Sequence, residues 1–345
     1  MHDFFNHIHT KMKNYFYSPT KLGLALIAVI GLTSLHAESL EDKLRKAAGE
    51  VASELEGEGS NEDKLNNLGS KLEGIAKEFT DDVKKNDANG KSRPNMMMSG
   101  PEVDLSILTE EQLAYKGGSD DMEGYGVYAK DSKSRLPVVL IVHQWMGLTD
   151  YEKTRAQQLA QMGYLAICVD VYGKGVRPAN QQEAGEMATK YKTDRALYRR
   201  RLLAGLSKAL SHPKADGSKV VAIGYCFGGT GVLELARTGA EVKGVVSFHG
   251  GLDSPKPDDG ANIGCKVLVC HGADDPFVPA EELAAFEKEM RDHNVDWQLI
   301  KYGGAVHSFT QPMAGTDNSK GAAYNKKADI RSWKDMNQFF NEALK

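Results

Sequence analysis

From residue 137 onward, short and almost wholly apolar runs alternate with longer stretches in which apolar residues recur every three or four positions. The runs are 137–143 (PVVLIVH), 164–172 (YLAICVDVY), 219–225 (KVVAIGY), 242–250 (VKGVVSFHG), 265–272 (CKVLVCHG) and 295–302 (VDWQLIKY). A strand inside a parallel sheet is covered on both faces and is apolar along its length, whereas a half-solvated strand alternates. Helical spacing fills the intervals at 151–162, 194–211, 229–238, 279–293 and 323–343. This order predicts an α/β class, a doubly wound and mainly parallel sheet. Ligands of such sheets sit beyond the carboxyl ends of the strands.

The pattern ahead of residue 101 is different. Residues 38–100 contain one aromatic, Phe79, among many Glu, Lys, Asp, Asn, Ser and Gly residues. Leu40, Leu44, Ala47, Val51 and Leu55, then Leu65, Leu68, Leu72, Ile75 and Phe79, have helical spacing, with Gly57, Gly59 and Ser60 between the two pieces. They read as a partner-docking hairpin or a solvated tether, and 86–100 as linker. Earlier still, Lys11, Lys13 and Lys21 precede an apolar run, Leu22 to Leu35, that ends in His36-Ala37-Glu38. Basic, apolar and small-residue segments in that order predict a signal peptide over 1–37 and an exported, periplasmic protein. The run falls short of the roughly 20 residues a membrane span needs, so membrane attachment is expected only if the segment stays uncleaved. One globular domain is expected over 101–345, with a monomer favoured.

Composition narrows the partners. A net charge of −4 and the absence of any block of like charges argue against nucleic acid, leaving a small molecule. Of the four cysteines, Cys168, Cys265 and Cys270 lie in apolar runs and read as buried small side chains. The histidines lack zinc-site spacing and the glycine-rich turn lacks a phosphate-loop Lys, so no metal or cofactor is expected.

The fourth cysteine carries the chemistry. Strand 219–225 runs into Gly224-Tyr225-Cys226-Phe227-Gly228-Gly229 and then a helix, the setting of a G-x-S-x-G nucleophile elbow with sulfur for oxygen. Gly224 and Gly228 would permit a tight turn that pushes Cys226 out at a helix N-terminus, where a thiol ionises more easily. Such folds place an acid after a later strand and a His after the last one. Asp274 or Asp275 follows strand 265–272, and His307 follows strand 295–302. His307 would act as base and then acid, and the carboxylate would fix its tautomer. His143, His249 and His271 also stand at strand ends but lack this chain order. The N–H of Phe227 and a second N–H from loop 143–147, with Trp145 as the candidate, would receive an oxyanion.

These residues resemble the dienelactone hydrolase family, α/β-hydrolases with a Cys-Asp-His triad. The likeness rests on VLIVHQWMG (139–147), VDVYG (169–173), GYCFGG (224–229), GADDPFV (272–278) and HSF (307–309), and covers about 112–345. It implies a cysteine hydrolase of small esters or lactones, similar to carboxymethylenebutenolidases, and selects Asp275 as the acid. Two positions depart from the members that open dienelactones. Gln144 stands where they carry a Glu that interacts with the resting thiol, and Gln311 where they carry a carboxylate-binding Arg. Lys174 and Arg177 are candidate replacement cations. A non-catalytic protein docking partners through its extension, and a redox sensor at Cys226, are the alternative functions.

Overall fold

The computed structural model describes residues 98–345, so the expected signal peptide and nearly all of the extension lie outside the described residues. Eight strands form one sheet: β1 (Leu108–Gly117), β2 (Asp120–Ala129), β3 (Leu136–Val142), β4 (Leu165–Val169), β5 (Ala215–Tyr225), β6 (Gly244–Phe248), β7 (Lys266–Gly272) and β8 (Trp297–Tyr302). Their order across the sheet is β1-β2-β4-β3-β5-β6-β7-β8. From β4 to β8 every pairing is parallel, while β1 pairs antiparallel with β2, and β2 with β4. The α/β-hydrolase fold expected from the sequence is present, with an antiparallel hairpin added at one edge.

That hairpin went unforeseen. β1 (LTEEQLAYKG) buries only Leu108, Leu113 and Gly117 and turns charged side chains outward, as an edge strand does. It joins β2 through Gly118-Ser119, where Gly118 has a φ of +71°. Central strands β3 (LPVVLIV) and β4 (LAICV) are buried from end to end or nearly so, hence their continuous apolar signal.

Among the described residues six helices flank the sheet: α1 (Asp150–Gln161), α2 (Gln181–Thr193), α3 (Arg195–Leu210), α4 (Phe227–Arg237), α5 (Ala280–Asp292) and α6 (Lys326–Ala343). Val138, Leu140 and Val142 of β3 join one buried cluster with Tyr198 and Leu202 of α3, Val232 and Leu233 of α4, and Phe286 and Met290 of α5. Helices α1 and α6 lie on strands β2 to β4 and on β6 and β7 respectively. Helix α2 was not expected either, because its sequence QQEAGEMATKYKT buries only Ala184 and Tyr191.

The expected linker ends earlier than predicted. Met98 and Ser99 are buried, and the Ser99 N–H and hydroxyl both donate to the Asp329 carboxylate at 2.7 Å. Arg155 donates to the Ser99 carbonyl at 2.6 Å and pairs with Asp329 at 2.6 Å. A buried pair holds only when its remaining lone pairs are satisfied, and Ser99 supplies part of that satisfaction. Cys168, Cys265 and Cys270 are buried free thiols, as expected.

Candidate active site

The carboxyl ends of β3 to β8 open onto one crevice edge, and each candidate residue follows one of them. Cys226 links β5 to α4 with a φ of 54°, a strained value for a residue with a side chain. The turn is tight enough to require glycine on both sides. A Cβ on Gly224 would overlap the Gly228 carbonyl, and one on Gly228 would overlap the Val142 carbonyl of β3.

Three residues distant in sequence meet here. His307 Nε2 lies 3.1 Å from Cys226 Sγ, and His307 Nδ1 lies 2.9 Å from Asp275 Oδ2. The other Asp275 oxygen accepts from the Phe277 N–H at 2.9 Å, fixing the carboxylate. Asp274 instead accepts from the exposed Gly304 N–H, and Asp275 is the one of the two that meets His307. Phe277 sets its ring edge-to-face against His307, 5.4 Å between centroids.

Electrostatics makes the pair a matched one. Burial pushes the Cys226 thiol up, but His307, by charge and hydrogen bond, brings it net below its ordinary range, with smaller help from the Phe227 N–H and Lys192. Burial opposes a proton on His307, yet the Cys226 charge and the Asp275 hydrogen bond raise it to about 10. Both shifts favour a thiolate beside an imidazolium over the neutral pair.

The expected anion-receiving loop follows β3. Here Gln144 is buried, and its N–H is committed to Glu152 Oε1 at 3.1 Å. Glu152 is itself fully buried, held by the Thr149 N–H and hydroxyl in a capping box that starts α1. Burial raises its pKa, with the Thr149 hydroxyl and the Gln144 N–H opposing. Trp145, half-buried, accepts from the Tyr172 hydroxyl at 2.9 Å through its carbonyl. Glu152 holds the Gln144 N–H and not that of Trp145. The Phe227 N–H lies against the Cys226 sulfur.

The remaining pocket candidates have partners of their own. Lys174 pairs with Glu123 at 3.4 Å. Arg177 donates to the Val176 carbonyl at 2.6 Å and the Leu148 carbonyl at 3.2 Å, and approaches Asp170 at 3.7 Å. Neither is the free cation that the sequence suggested. Gln311 turns its side-chain oxygen onto the Met313 N–H at 3.2 Å, capping a short 3-10 turn. Sequence reasoning missed Lys192, which acts on the thiolate from the unforeseen α2, and it undervalued His249. Among the described residues no cluster of His, Cys, Asp and Glu is arranged to hold a metal ion.

Comparison with known proteins bears on this geometry. The sequence profile of the dienelactone hydrolase family matches residues 122–344. A solved dienelactone hydrolase-like promiscuous phosphotriesterase from metagenomic libraries is 39% identical, covering 69% of this chain and 100% of its own, with a TM-score of 0.66. A second solved protein, m3DLH, is 36% identical over 69% of this chain and 100% of its own, with a TM-score of 0.67. A Bradyrhizobium protein named "Probable 2-oxo-3-(5-oxofuran-2-ylidene)propanoate lactonase" is 29% identical over 185 residues, which is 51% of this chain and 74% of that one. The two structural likenesses are close enough in sequence to bear on more than the fold.

Proposed function

The chain belongs to the dienelactone hydrolase family and is a hydrolase; from this we propose that it cleaves small carboxylic esters or lactones through a thioester on Cys226. The observation that carries the reading is the line Cys226 Sγ, His307 Nε2, His307 Nδ1, Asp275 Oδ2, with spacings of 3.1 and 2.9 Å.

Each group then has a step. The thiolate attacks the carbonyl carbon, and the oxyanion forms toward the N–H groups of Phe227 and Trp145. His307 gives its proton to the leaving oxygen, and the C–O bond breaks. Water enters next; His307 takes one of its protons while the oxygen attacks the thioester, and the C–S bond breaks to return the thiolate. Asp275 keeps the proton of Nδ1 in place and compensates the imidazolium charge.

The substrate favoured is neutral near the base. Phe277, which flanks His307, is 60% exposed, and Met313, beside Gln311, is 58% exposed, so apolar surface and an amide stand where the lactone-opening relatives are expected to carry a cation. One relative is named for a lactone and another for phosphotriesters, and both reactions begin with attack of a nucleophile on an activated centre. A periplasmic setting, read from residues 1–37, belongs to the same proposal; N-terminal sequencing of the secreted protein tests it.

The deciding experiment is single-turnover hydrolysis of p-nitrophenyl acetate by wild type, Cys226→Ser and His307→Ala, with intact mass taken on the quenched protein. An acetyl adduct on Cys226 and loss of turnover in both variants is the expected result. Equal background rates without an adduct would overturn the proposal.

A further inference from the structure

His249 follows β6 and carries two bonds that bear on the triad without belonging to it. The backbone N–H of Cys226 donates to His249 Nδ1 at 3.1 Å as well as to the Phe248 carbonyl at 2.9 Å. An N–H can only donate, so Nδ1 accepts and the ring proton sits on Nε2. Nε2 lies 2.8 Å from the Thr310 hydroxyl and donates to it. Thr310 is three residues beyond His307, on the loop that holds the base. One imidazole thus bridges the nucleophile's own backbone and the loop of its partner.

Every joint of the bridge is bonded or packed. His249 adopts a φ of 40°, and its own N–H donates to the Cys270 carbonyl at 2.9 Å. Its ring is buried edge-to-face against His307, 5.3 Å between centroids, and against Phe309, 5.1 Å. Behind it the Thr310 hydroxyl meets the Tyr151 hydroxyl at 2.6 Å, which accepts from Arg155 at 3.3 Å. Arg155 ends the chain in the buried pair with Asp329 and Ser99. The bridging role needs a neutral ring, because a proton on Nδ1 would face the Cys226 N–H. Burial, followed by the neighbouring His307 and then Arg155 and His271, keeps that proton off.

We propose that His249 is a positioning residue: it sets the Cys226 to His307 separation by tying the strained elbow to the loop of the base. Two strained residues, Cys226 and His249, are held by one hydrogen bond between them, and the same ring spans to Thr310. Loss of the bridge lets the elbow and the base drift independently. The thiolate and imidazolium then lose the close contact that sustains both charges. The idea rests on the hydrolase reading for its consequence in catalysis, but its geometry does not.

The test combines a substrate-free and a substrate-dependent measurement on the full chain. Iodoacetamide alkylation of Cys226 against pH reports the ion pair, and p-nitrophenyl acetate kinetics report its use. The variants are His249→Asn, which keeps an acceptor near Nδ1 and tolerates positive φ, His249→Phe, which keeps a ring without the acceptor, and Thr310→Val, which cuts the far joint. In His249→Phe and Thr310→Val the alkylation profile moves toward that of an ordinary thiol. An ångström of misplacement costs on the order of 100-fold in rate, so kcat of His249→Phe falls by about that factor with KM within about twofold. His249→Asn, which keeps the elbow bond but cannot reach Thr310, gives a profile between those of wild type and His249→Phe. A wild-type profile in both His249→Phe and Thr310→Val, or an Asn variant no better than Phe, overturns the proposal; a variant that merely melts earlier does not move the profile. Alkylation needs no hydrolysis, so a failed hydrolase reading and a failed bridge give different results.

Discussion

The Tyr172 hydroxyl donates a 2.9 Å hydrogen bond to the Trp145 carbonyl, joining the loops that follow β4 and β3 beside the nucleophile. The Trp145 carbonyl shares its peptide plane with the Met146 N–H, and fixing that plane restrains the adjoining Gln144–Trp145 peptide that carries the Trp145 N–H. Tyr172 is itself packed between His143, Tyr191 and Phe227. Tyr172→Phe keeps those rings and removes only the tie. We expect kcat for p-nitrophenyl acetate to fall about tenfold, or about 1.4 kcal/mol of transition-state stabilisation, with little change in KM. Unchanged kcat would remove this loop from the oxyanion site.

The resting ion pair fixes the pH response. Cys226 is lowered, so it keeps its charge as pH falls until that lowered value is crossed. His307 is raised to about 10, so it keeps its proton as pH rises until about that value. The rate of iodoacetamide alkylation should therefore rise at a lower pH than it does for an ordinary thiol. A single rise at the position of an ordinary thiol would refute the pair.

The elbow tolerates no side chain at its second glycine. Gly228→Ala drives a methyl group into the Val142 carbonyl of β3, and backbone cannot yield as a flexible side chain does. Overpacking of this kind costs about 3 kcal/mol or more, a drop in melting temperature of roughly 6 to 12 °C for a domain this size. A thermal melt within a degree of wild type would show that the turn can open.

Substrate charge should respond to two positions. Gln311→Arg offers a cation on the loop that follows the base and should raise kcat/KM for a carboxylate-bearing lactone about tenfold, leaving the neutral ester unaffected. Gln144→Glu places a second anion near the thiolate and should raise its pKa by like-charge repulsion. If both variants treat charged and neutral substrates as wild type does, these two residues do not set specificity.

Residue 99 is predicted to matter for folding. Asp329→Ala strands the buried Arg155 and should cost about 3 to 5 kcal/mol, because an unpaired buried charge is left behind. A chain that begins at Pro101 should also unfold at lower denaturant than one that begins at Met97, by the loss of the Ser99 bonds. Equal midpoints would make Ser99 a passenger.

How much of this was legible in the sequence depends on what each residue answers to. The strands β3 to β7 were visible because burial on both faces forces apolar runs, whereas Glu110, Gln112 and Lys116 of β1 are exposed and broke the apolar signal at the edge. The Gly118-Ser119 pair was the available signal for that hairpin. Cys226, Asp275 and His307 were legible because chain order and strand ends constrain them jointly. His249 and Glu152 were not, since their partners, the Cys226 and Gln144 N–H groups, are backbone atoms brought near by the fold alone. Lys174 and Arg177 misled because a charge in a loop says nothing of the carbonyls and carboxylates that will claim it.

Burial works against the His307 proton, and the Cys226 charge is the foremost influence holding it there. In the proposed cycle, an acyl group on the sulfur abolishes that charge. The ring then drops toward the acidity of a buried neutral imidazole, releasing its proton when the departing alcohol needs one. It remains a free base only while the sulfur is blocked, which is when a water molecule must be activated. A bystander that enters without acylating leaves the ring charged and unable to activate water. The protonation of His307 is thus a clock wound by occupancy of the sulfur, and no moving part is required to keep the two half-reactions in order.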